Sequence, residues 1–586
     1  MAASTSQGPM ISETNSTGKT PAPPPSPSHP QTLAVPGQNL EAEENYKPKT
    51  FKFWSVIISA FLCLFLISLD RTIIGTATPS ITQDFQGVGD IGWYGSAYLL
   101  TTAATQFIFS KFYKSYDIKW TFLVSVFFFE AGSALCGAAP NSVLFILGRA
   151  IAGVGGAGIF SGVTIILFHM IPLRKQPIFQ GIFGAVFGIS SVIGPIVGGA
   201  FTTHVSWRKV IIQLWCFYIN LPIGGVAVVC LVFFLHPKKI EKQTATLWEQ
   251  FLRLDPLGSL FFIPSVVSLL IALEWGGSTW PWNSWRIIVL LVVFGVLFIA
   301  FVAVQVRWPD NATVPWRIIS QRSILAASIF MFSISGAMFI AIFYLPLWFQ
   351  VILAASAIES GVYTLPLVLS LVVSANISGI LIKKTGYYVP AMIICPSLMA
   401  IGLGLITTFK VNESSSKWIG YQFITGFGLG FGIQASNLAT RAVLPMPDVP
   451  TGLAIIFFFQ QLGGAIFTSV GQSLLSTFLV EKLADIPNID PAELTNQGAV
   501  EVISSLPPQY QAQVKEVYNF AINRIFKSAY GVSIVAVVAA LCMEWKNVNT
   551  VKPSDTTGTS PRPVSPAETI VEEGKLPEVL PVTTKD

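Results

Sequence analysis

Fourteen apolar runs separated by short polar connections fill most of the chain from residue 54 to residue 545, and they leave few folds open. They fall near 54–77, 91–112, 120–139, 143–168, 178–201, 215–235, 256–276, 286–306, 324–348, 360–382, 389–409, 418–443, 450–478 and 525–545. At a rise of about 1.5 Å per residue, a helical run of about twenty residues crosses the ~30 Å hydrocarbon core of a bilayer. Lipid offers no partner to backbone N–H and C=O groups, so such a run must satisfy them internally as a helix. The charged fraction agrees, at 11% of 586 residues against about 25% in ordinary soluble domains. The expected fold class is an all-α polytopic membrane protein.

An even number of spans puts both termini on one side, and the basic residues decide which side is cytosolic. One set of connections carries Lys111, Lys114, Lys119, Arg174, Lys175, Lys238, Lys239, Lys242, Arg253, Arg307, Arg317, Arg322, Lys383, Lys384 and Arg441. The other carries only Arg208, Lys209, Arg286, Lys410 and Lys417. The first set, and with it both tails, is expected in the cytosol. Asn412, in Asn-Glu-Ser, then faces outward as a glycosylation acceptor, whereas the Asn311 sequon faces inward and stays silent.

Charged connections at 236–255 and 307–323 divide the chain unevenly. The expectation is a disordered tail at 1–50, a six-helix bundle at 51–236, a two-helix insert at 237–323, a second six-helix bundle at 324–546 and a disordered tail at 547–586. Both tails are rich in Pro, Ser and Thr. The one long polar loop, 480–524, is expected outside, and its helical periodicity predicts an amphipathic interfacial helix leading into the last span. With no cleavable signal visible at Met1, the first span is expected to direct insertion.

Several function classes fall away. An excess of 35 Lys+Arg over 30 Asp+Glu is too small to imply nucleic-acid binding. The six cysteines lie in apolar runs without CxxC spacing, and there are only four histidines, so no metal or other cofactor is expected. No P-loop is present to use ATP, and no catalytic constellation marks an enzyme. A proton-coupled exporter, a facilitator or importer on the same scaffold, and a membrane-embedded enzyme or scaffold are the classes weighed, in falling order.

Three features carry the functional argument. The first is the glycine-rich stretch 184–199, in which Gly184 and Gly188 form a small-xxx-small ridge and Gly194, Pro195, Gly198 and Gly199 extend it, making a contact seam or a hinge. The second is the ionisable set within spans. Asp70 lies about 24 Å from the inner end of the first helix and Arg149 about 9 Å from the outer end of the fourth, which are nearly matching depths. Asp70 is expected to pair either with Arg149, as a proton-switchable couple, or with its neighbour Arg71, as an interfacial anchor. Glu130, near mid-bilayer with no basic residue on its helix, is either a proton carrier or a neutral structural acid. Glu274 and Glu359, near outer helix ends, are expected to be solvated. The third is the set of uncharged polar residues in spans, Gln106, Asn220, Asn376, Gln434, Asn437, Gln460 and Gln461, the last two beside Phe457, Phe458 and Phe459. They suit a pocket for amphipathic solutes without a fixed counter-charge, or interhelical hydrogen bonds.

The GPIVGG string within 184–199 resembles the fifth-helix antiporter motif of the major facilitator superfamily. LDRTIIGTATPSI, LGRAIAGVGGAGIFSG, GPIVGGAFTTHVSW and WCFYINLPIGG resemble motifs of its fourteen-span drug:proton antiporters, and fungal toxin and multidrug efflux pumps look most similar. The resemblance covers about residues 50 to 546. It implies the major facilitator fold, alternating access and proton-coupled export of amphipathic small molecules, and it matches Arg149 to an arginine implicated in proton transfer. The expected membrane is the plasma membrane, with the vacuolar membrane as the alternative. Two departures stand out. SKFYKSYDIKW replaces a loop that often reads like GxLaDRxGRK, and KVIIQL at 209–214, an unusual external loop or a gene-model error, separates Trp207-Arg208 from Trp215-Cys216.

Overall fold

The computed structural model describes residues 40–85, 91–204, 217–236, 246–277, 279–483 and 507–549, all within one unit, Pro36–Asp586. Helices fall on all fourteen predicted runs. They are α1 (Phe51–Phe85), α2 (Ile91–Ser115), α3 (Ile118–Ala138), α4 (Ser142–Met170), α5 (Gln176–His204), α6 (Asn220–Phe234), α7 (Pro256–Trp275), α8 (Trp285–Arg307), α9 (Arg322–Ile352), α10 (Leu365–Thr385), α11 (Val389–Ile406), α12 (Ser415–Gly432), α13 (Val449–Leu483) and α14 (Pro508–Leu541). A short helix, Ala435–Val443, continues α12 after a break. Among the described residues ten of these segments are long and apolar enough to cross a membrane. Helices α2, α6 and α12 do not meet that measure, α6 because it has only 15 residues, and α5 is described only in part.

Polar residues at the helix ends explain where several of them start and stop. The Asn141 side chain accepts the Leu144 N–H at 2.9 Å and the Asp117 carboxylate accepts the Lys119 N–H at 2.8 Å, capping α4 and α3. Gly386, at φ 81°, ends α10 in the left-handed conformation that glycine adopts without strain.

Within the first half α3 packs on α4, α2 on α4, and α1 on α5 and α6; within the second, α9 packs on α13 and α14, and α12 on α10 and α11. The halves meet most extensively where α5 packs on α10 and α2 on α13. Helices α7 and α8 pack on each other, and α7 also touches α2 and α13, which places the insert beside the junction of the halves. Helix α8 lies open, with Ile288, Val292, Val296, Ile299 and Val306 exposed, as suits a face turned to lipid.

The insert is tied down by buried polar groups. Asp255 accepts hydrogen bonds from the Gly258 N–H at 2.8 Å, Gln305 Nε2 at 2.7 Å, and the Thr313 N–H and hydroxyl at 3.0 and 2.7 Å. Lys111, expected in an inner loop, is instead buried and donates to the Asn311 and Ala312 carbonyls at 2.8 Å each. An ammonium removed from water needs such oxygens, and the insert's exit supplies them.

Three expectations need correcting here. Residues 40–50 are ordered rather than part of a loose tail. The helix Leu40–Asn45 packs on α4, Asn45 Nδ2 donates to the His169 carbonyl at 3.2 Å, and Arg174 pairs with Glu43 at 3.3 Å. The segment before the last span does not form a separate interfacial helix. Helix α14 runs unbroken from Pro508 to Leu541, and Val514, Tyr518, Ile522 and Ile525 are buried in the second-half core. Glu274 is half-buried and hydrogen-bonded to Ser96 rather than solvated. Residues 209–214, 484–506 and both outer tails, 1–39 and 550–586, lie outside the described residues.

Candidate functional site

Asp70 on α1 and Arg149 on α4 meet in the interior. Arg149 Nη1 lies 2.6 Å from Asp70 Oδ2, both side chains are at most 1% exposed, and Arg149 Nε donates to the Tyr94 carbonyl at 2.9 Å. A buried ion pair survives the loss of water only when further hydrogen bonds and close geometry support it. Here the Tyr94 carbonyl provides one such contact, and the Tyr98 ring, centred 4.8 Å from the guanidinium carbon, provides a cation–π face. The other carboxylate oxygen, Asp70 Oδ1, has no hydrogen-bond partner among the described residues.

The alternative pairing, with Arg71, does not form. Successive helical residues point about 100° apart, so while Asp70 turns toward α4, Arg71 turns toward the second half and donates through Nη2 to Gln461 Oε1 at 3.3 Å. Its guanidinium carbon stands 5.8 Å from the centre of the same Tyr98 ring, so both arginines border that ring. Gly156 makes this possible, because a Cβ there would collide with the Tyr98 hydroxyl.

Arg71 and Tyr98 also line a cavity between the halves, together with Ile67 of α1, Thr102 and Gln106 of α2, Gly156 and Phe160 of α4, and Phe457, Gln460 and Gln461 of α13. In this conformation the cavity is narrow, with room for about one water molecule. Its walls combine aromatic and aliphatic surface with a few convergent polar groups, the usual make-up of a small-molecule site. Phe457 packs edge-on against Phe160 at 4.7 Å, whereas Phe458 turns away to Phe262 of the insert at 5.3 Å. Gln106 donates to the Ser161 hydroxyl at 2.5 Å, and Gln461 Nε2 has no partner among the described residues.

Three of the seven polar candidates, Gln106, Gln460 and Gln461, therefore share the cavity. The other four lie elsewhere and are engaged in helix contacts, the common fate of polar side chains within a membrane. Asn220 donates to Ser133 across α3 and α6 at 3.0 Å, Asn376 to the Val372 carbonyl of its own helix at 2.8 Å, and Asn437 to Gln434 at 2.9 Å. Glu130 faces α6, where its carboxyl occupies the space a Cβ at Gly224 would need, and neither oxygen has a hydrogen-bond partner among the described residues. Asn412 is exposed in the turn before α12.

The glycine stretch of α5 has two neighbours. A Cβ at Gly184 would stand 3.3 Å from Ala375 Cβ, and one at Gly188 2.9 Å from Val372 Cγ2, both on α10; Gly194 faces Thr72 of α1. On the other side of the seam Gly379 accepts the backbone of Pro177, so the two helices run antiparallel in near contact. Pro195, Gly198 and Gly199 continue α5, and their packing lies outside the described residues.

The sequence reading missed Arg71 as a cavity residue, and it placed Arg441 in a loop. Arg441 is fully buried beneath the junction of the halves, donating to Gln176 Oε1 at 2.8 Å and to the Thr164 carbonyl at 3.3 Å. Nearby, Asp448 takes Arg317 Nη1 at 2.5 Å, Arg317 Nη2 at 2.8 Å and Lys114 Nζ at 3.4 Å. Apolar flanks drew Arg441 into a helix, while only its spacing from Gln434 and Asn437, on one helical face, hinted at a polar core.

A two-part helical assembly enclosing a narrow amphipathic cavity, with a buried ion pair at its wall, defines a membrane transporter of small molecules. The comparison with known families is specific: the major facilitator superfamily model matches residues 60–468, and the chain belongs to that superfamily. It is 48% identical over 496 residues to the MFS-type efflux pump MFS1 of Arthroderma benhamiae, covering 84% of this chain and 91% of that protein. It is 44% identical over 506 residues to the rubrofusarin-specific efflux pump aurT of Gibberella zeae, covering 86% of this chain and 92% of that one. Among solved structures, a bacterial homologue of the human lysosomal transporter Spinster, in an inward-facing, unoccupied conformation, aligns at a TM-score of 0.52 and 14% identity, covering 84% of this chain and 98% of that one, which supports the fold. The chain is a multi-pass membrane transporter of the efflux-pump type.

Proposed function

We propose that this protein is a proton-driven antiporter that exports amphipathic small molecules by alternating access, and that Asp70 and Arg149 couple the two movements. The observation that carries the reading is the buried pair, 2.6 Å apart, sharing the Tyr98 ring with a cavity wall. A carboxylate beside a guanidinium stays ionised, and separating the two favours proton uptake. If the pair parts in the outward-open form, a proton enters from outside and leaves inward when the halves rock back. Glu130 is a second proton site in this reading, the seam of α5 with Gly184, Gly188, Gly194, Pro195, Gly198 and Gly199 is the rocking surface, and Asn412 is the glycosylation site. The membrane is the plasma membrane, both termini are cytosolic, and the chain performs no enzymatic step. The rubrofusarin-specific pump named above makes rubrofusarin a reasonable first substrate to try.

The test uses inside-out vesicles carrying the full chain and a fluorescent amphipathic dye. An acid interior should drive dye accumulation, and a protonophore should abolish it. Accumulation that only equilibrates, with the same rate under protonophore, would identify a facilitator instead.

A further inference from the structure

We infer that the transported molecule carries an acidic oxygen, a carboxylate or a phenolate on an aromatic body, and that Arg71 with Gln461 is the receptor for that oxygen. The inference rests on the reading of the cavity as the transport site and assigns that site a substrate class.

Two arginines and one carboxylate meet around Tyr98, and the carboxylate is committed to Arg149 at 2.6 Å. Arg71 has no carboxylate within ion-pair distance among the described residues, and its one hydrogen bond goes to the neutral Gln461 oxygen at 3.3 Å. Asp70 acts on it only at longer range, so the three groups leave one positive charge in excess beside the cavity wall. A cation held in a medium of low dielectric projects its field into the adjoining space far more strongly than in water, and it attracts a counter-charge there.

A second observation is independent of charge. Gln461 Nε2 is buried without a hydrogen-bond partner, on a residue that also lines the cavity. Because the amide oxygen is occupied by Arg71, the unused donor and the guanidinium belong to one hydrogen-bonded unit. Buried donors left unmade are costly, so a site that keeps one is built to have it filled. What both groups lack is an acceptor, and the strongest acceptors are ionised oxygens.

The remaining walls set the body of the molecule. Ile67, Tyr98, Phe160 and Phe457 offer aliphatic and ring surface, while Thr102 and Gln106 offer secondary polar contacts. A flat aromatic acid matches this pattern, whereas an organic cation would meet Arg71 as a like charge.

The proposal is tested on the purified full-length protein in nanodiscs, by measuring the affinity of naphthoate and of its methyl ester, which differ in charge and little in shape. The wild type should prefer the anion. Arg71→Gln should lower the anion-to-ester affinity ratio by about tenfold or more, the usual range for a hydrogen bond to a charged group. Arg71→Lys, which keeps the charge without the planar fork, should restore part of it. The ratio within one preparation does not depend on how much protein folded. Equal affinities in the wild type, or a ratio untouched by Arg71→Gln, overturn the assignment. Export and substrate class fail separately: proton-driven accumulation of neutral dyes with a flat ratio removes the anion class alone, and an Arg71-dependent ratio with no proton-driven movement removes the export reading alone.

Discussion

Asp70 and Arg71 are consecutive in the chain and opposite in fate, one sealed against α4 and the other turned to the cavity. That divergence fixes what each substitution should do. Asp70→Asn keeps the shape and removes the ionisable group, so exchange of substrate across the membrane should persist while concentrative export is lost. Counterflow and uphill transport measured on the same vesicles separate the two. An Asp70→Asn protein that still concentrates substrate, with an unchanged response to external pH, would transfer the coupling role to Glu130. Arg149→Lys retains the charge but cannot reach Asp70 and the Tyr94 carbonyl together, as the guanidinium does at 2.6 and 2.9 Å, so it should impair export at normal expression. The pair was legible in the sequence because charge inside an apolar run is costly and two matching depths suggest a meeting. Arg71 was not, because only the helical rotation and the position of α13 bring it to the cavity. The same limit explains the four polar candidates that lie elsewhere, since composition reports that a residue is polar in a span without reporting which neighbour satisfies it.

Helices were legible as elements, and their partners were not. Apolar length alone located every run on which a helix is found, because a backbone in lipid has no other local solution. The glycines of α5 announced a close contact, yet nothing in one sequence names α10 as the helix that fills it. Residues 40–50 and the start of α14 failed for a related reason, their polar composition concealing apolar faces that tertiary packing buries. The α5–α10 seam makes a direct prediction. Gly184 and Ala375 stand opposite each other, and the 3.3 Å between an ideal Cβ at 184 and Ala375 Cβ is close to the spacing of about 3.8 Å that a disulfide bridges. The double variant Gly184→Cys, Ala375→Cys should stop export when oxidised and recover it with a reducing agent. Full export by the oxidised, verified cross-link would mean that this seam does not part during transport.

At the scale of the molecule, the two halves are joined by a polar cluster at the end expected to face the cytosol. Asp448, buried just before α13, binds Arg317 from the connection leaving the insert and Lys114 from the end of α2. Arg441 crosses the same junction to Gln176 and Thr164. One carboxylate thus gathers the insert, the first half and the second half. Lys114, in the last turn of α2, belongs to the SKFYKSYDIKW string that departs from the family pattern, so a basic residue of that string still reaches across the junction. The cationic partners are substantially exposed, 64% for Arg317 and 36% for Lys114, so solvent and salt screen each contact. Exposed pairs contribute about 0.2–1 kcal/mol each, and two such contacts on one carboxylate total roughly 1 kcal/mol, enough to shift a two-state equilibrium about fivefold. Asp448→Asn should therefore open this end more often without unfolding the protein. Thr164, fully buried under Arg441, is the position to watch. In inside-out vesicles a cysteine introduced by Thr164→Cys should react with an impermeant thiol reagent about three- to tenfold faster when combined with Asp448→Asn, and raised ionic strength should produce part of the same increase in the Asp448 parent. Equal labelling rates in the two backgrounds would show that the cluster is a solvated surface feature and that Arg441 and the apolar contacts alone hold the halves together at this end.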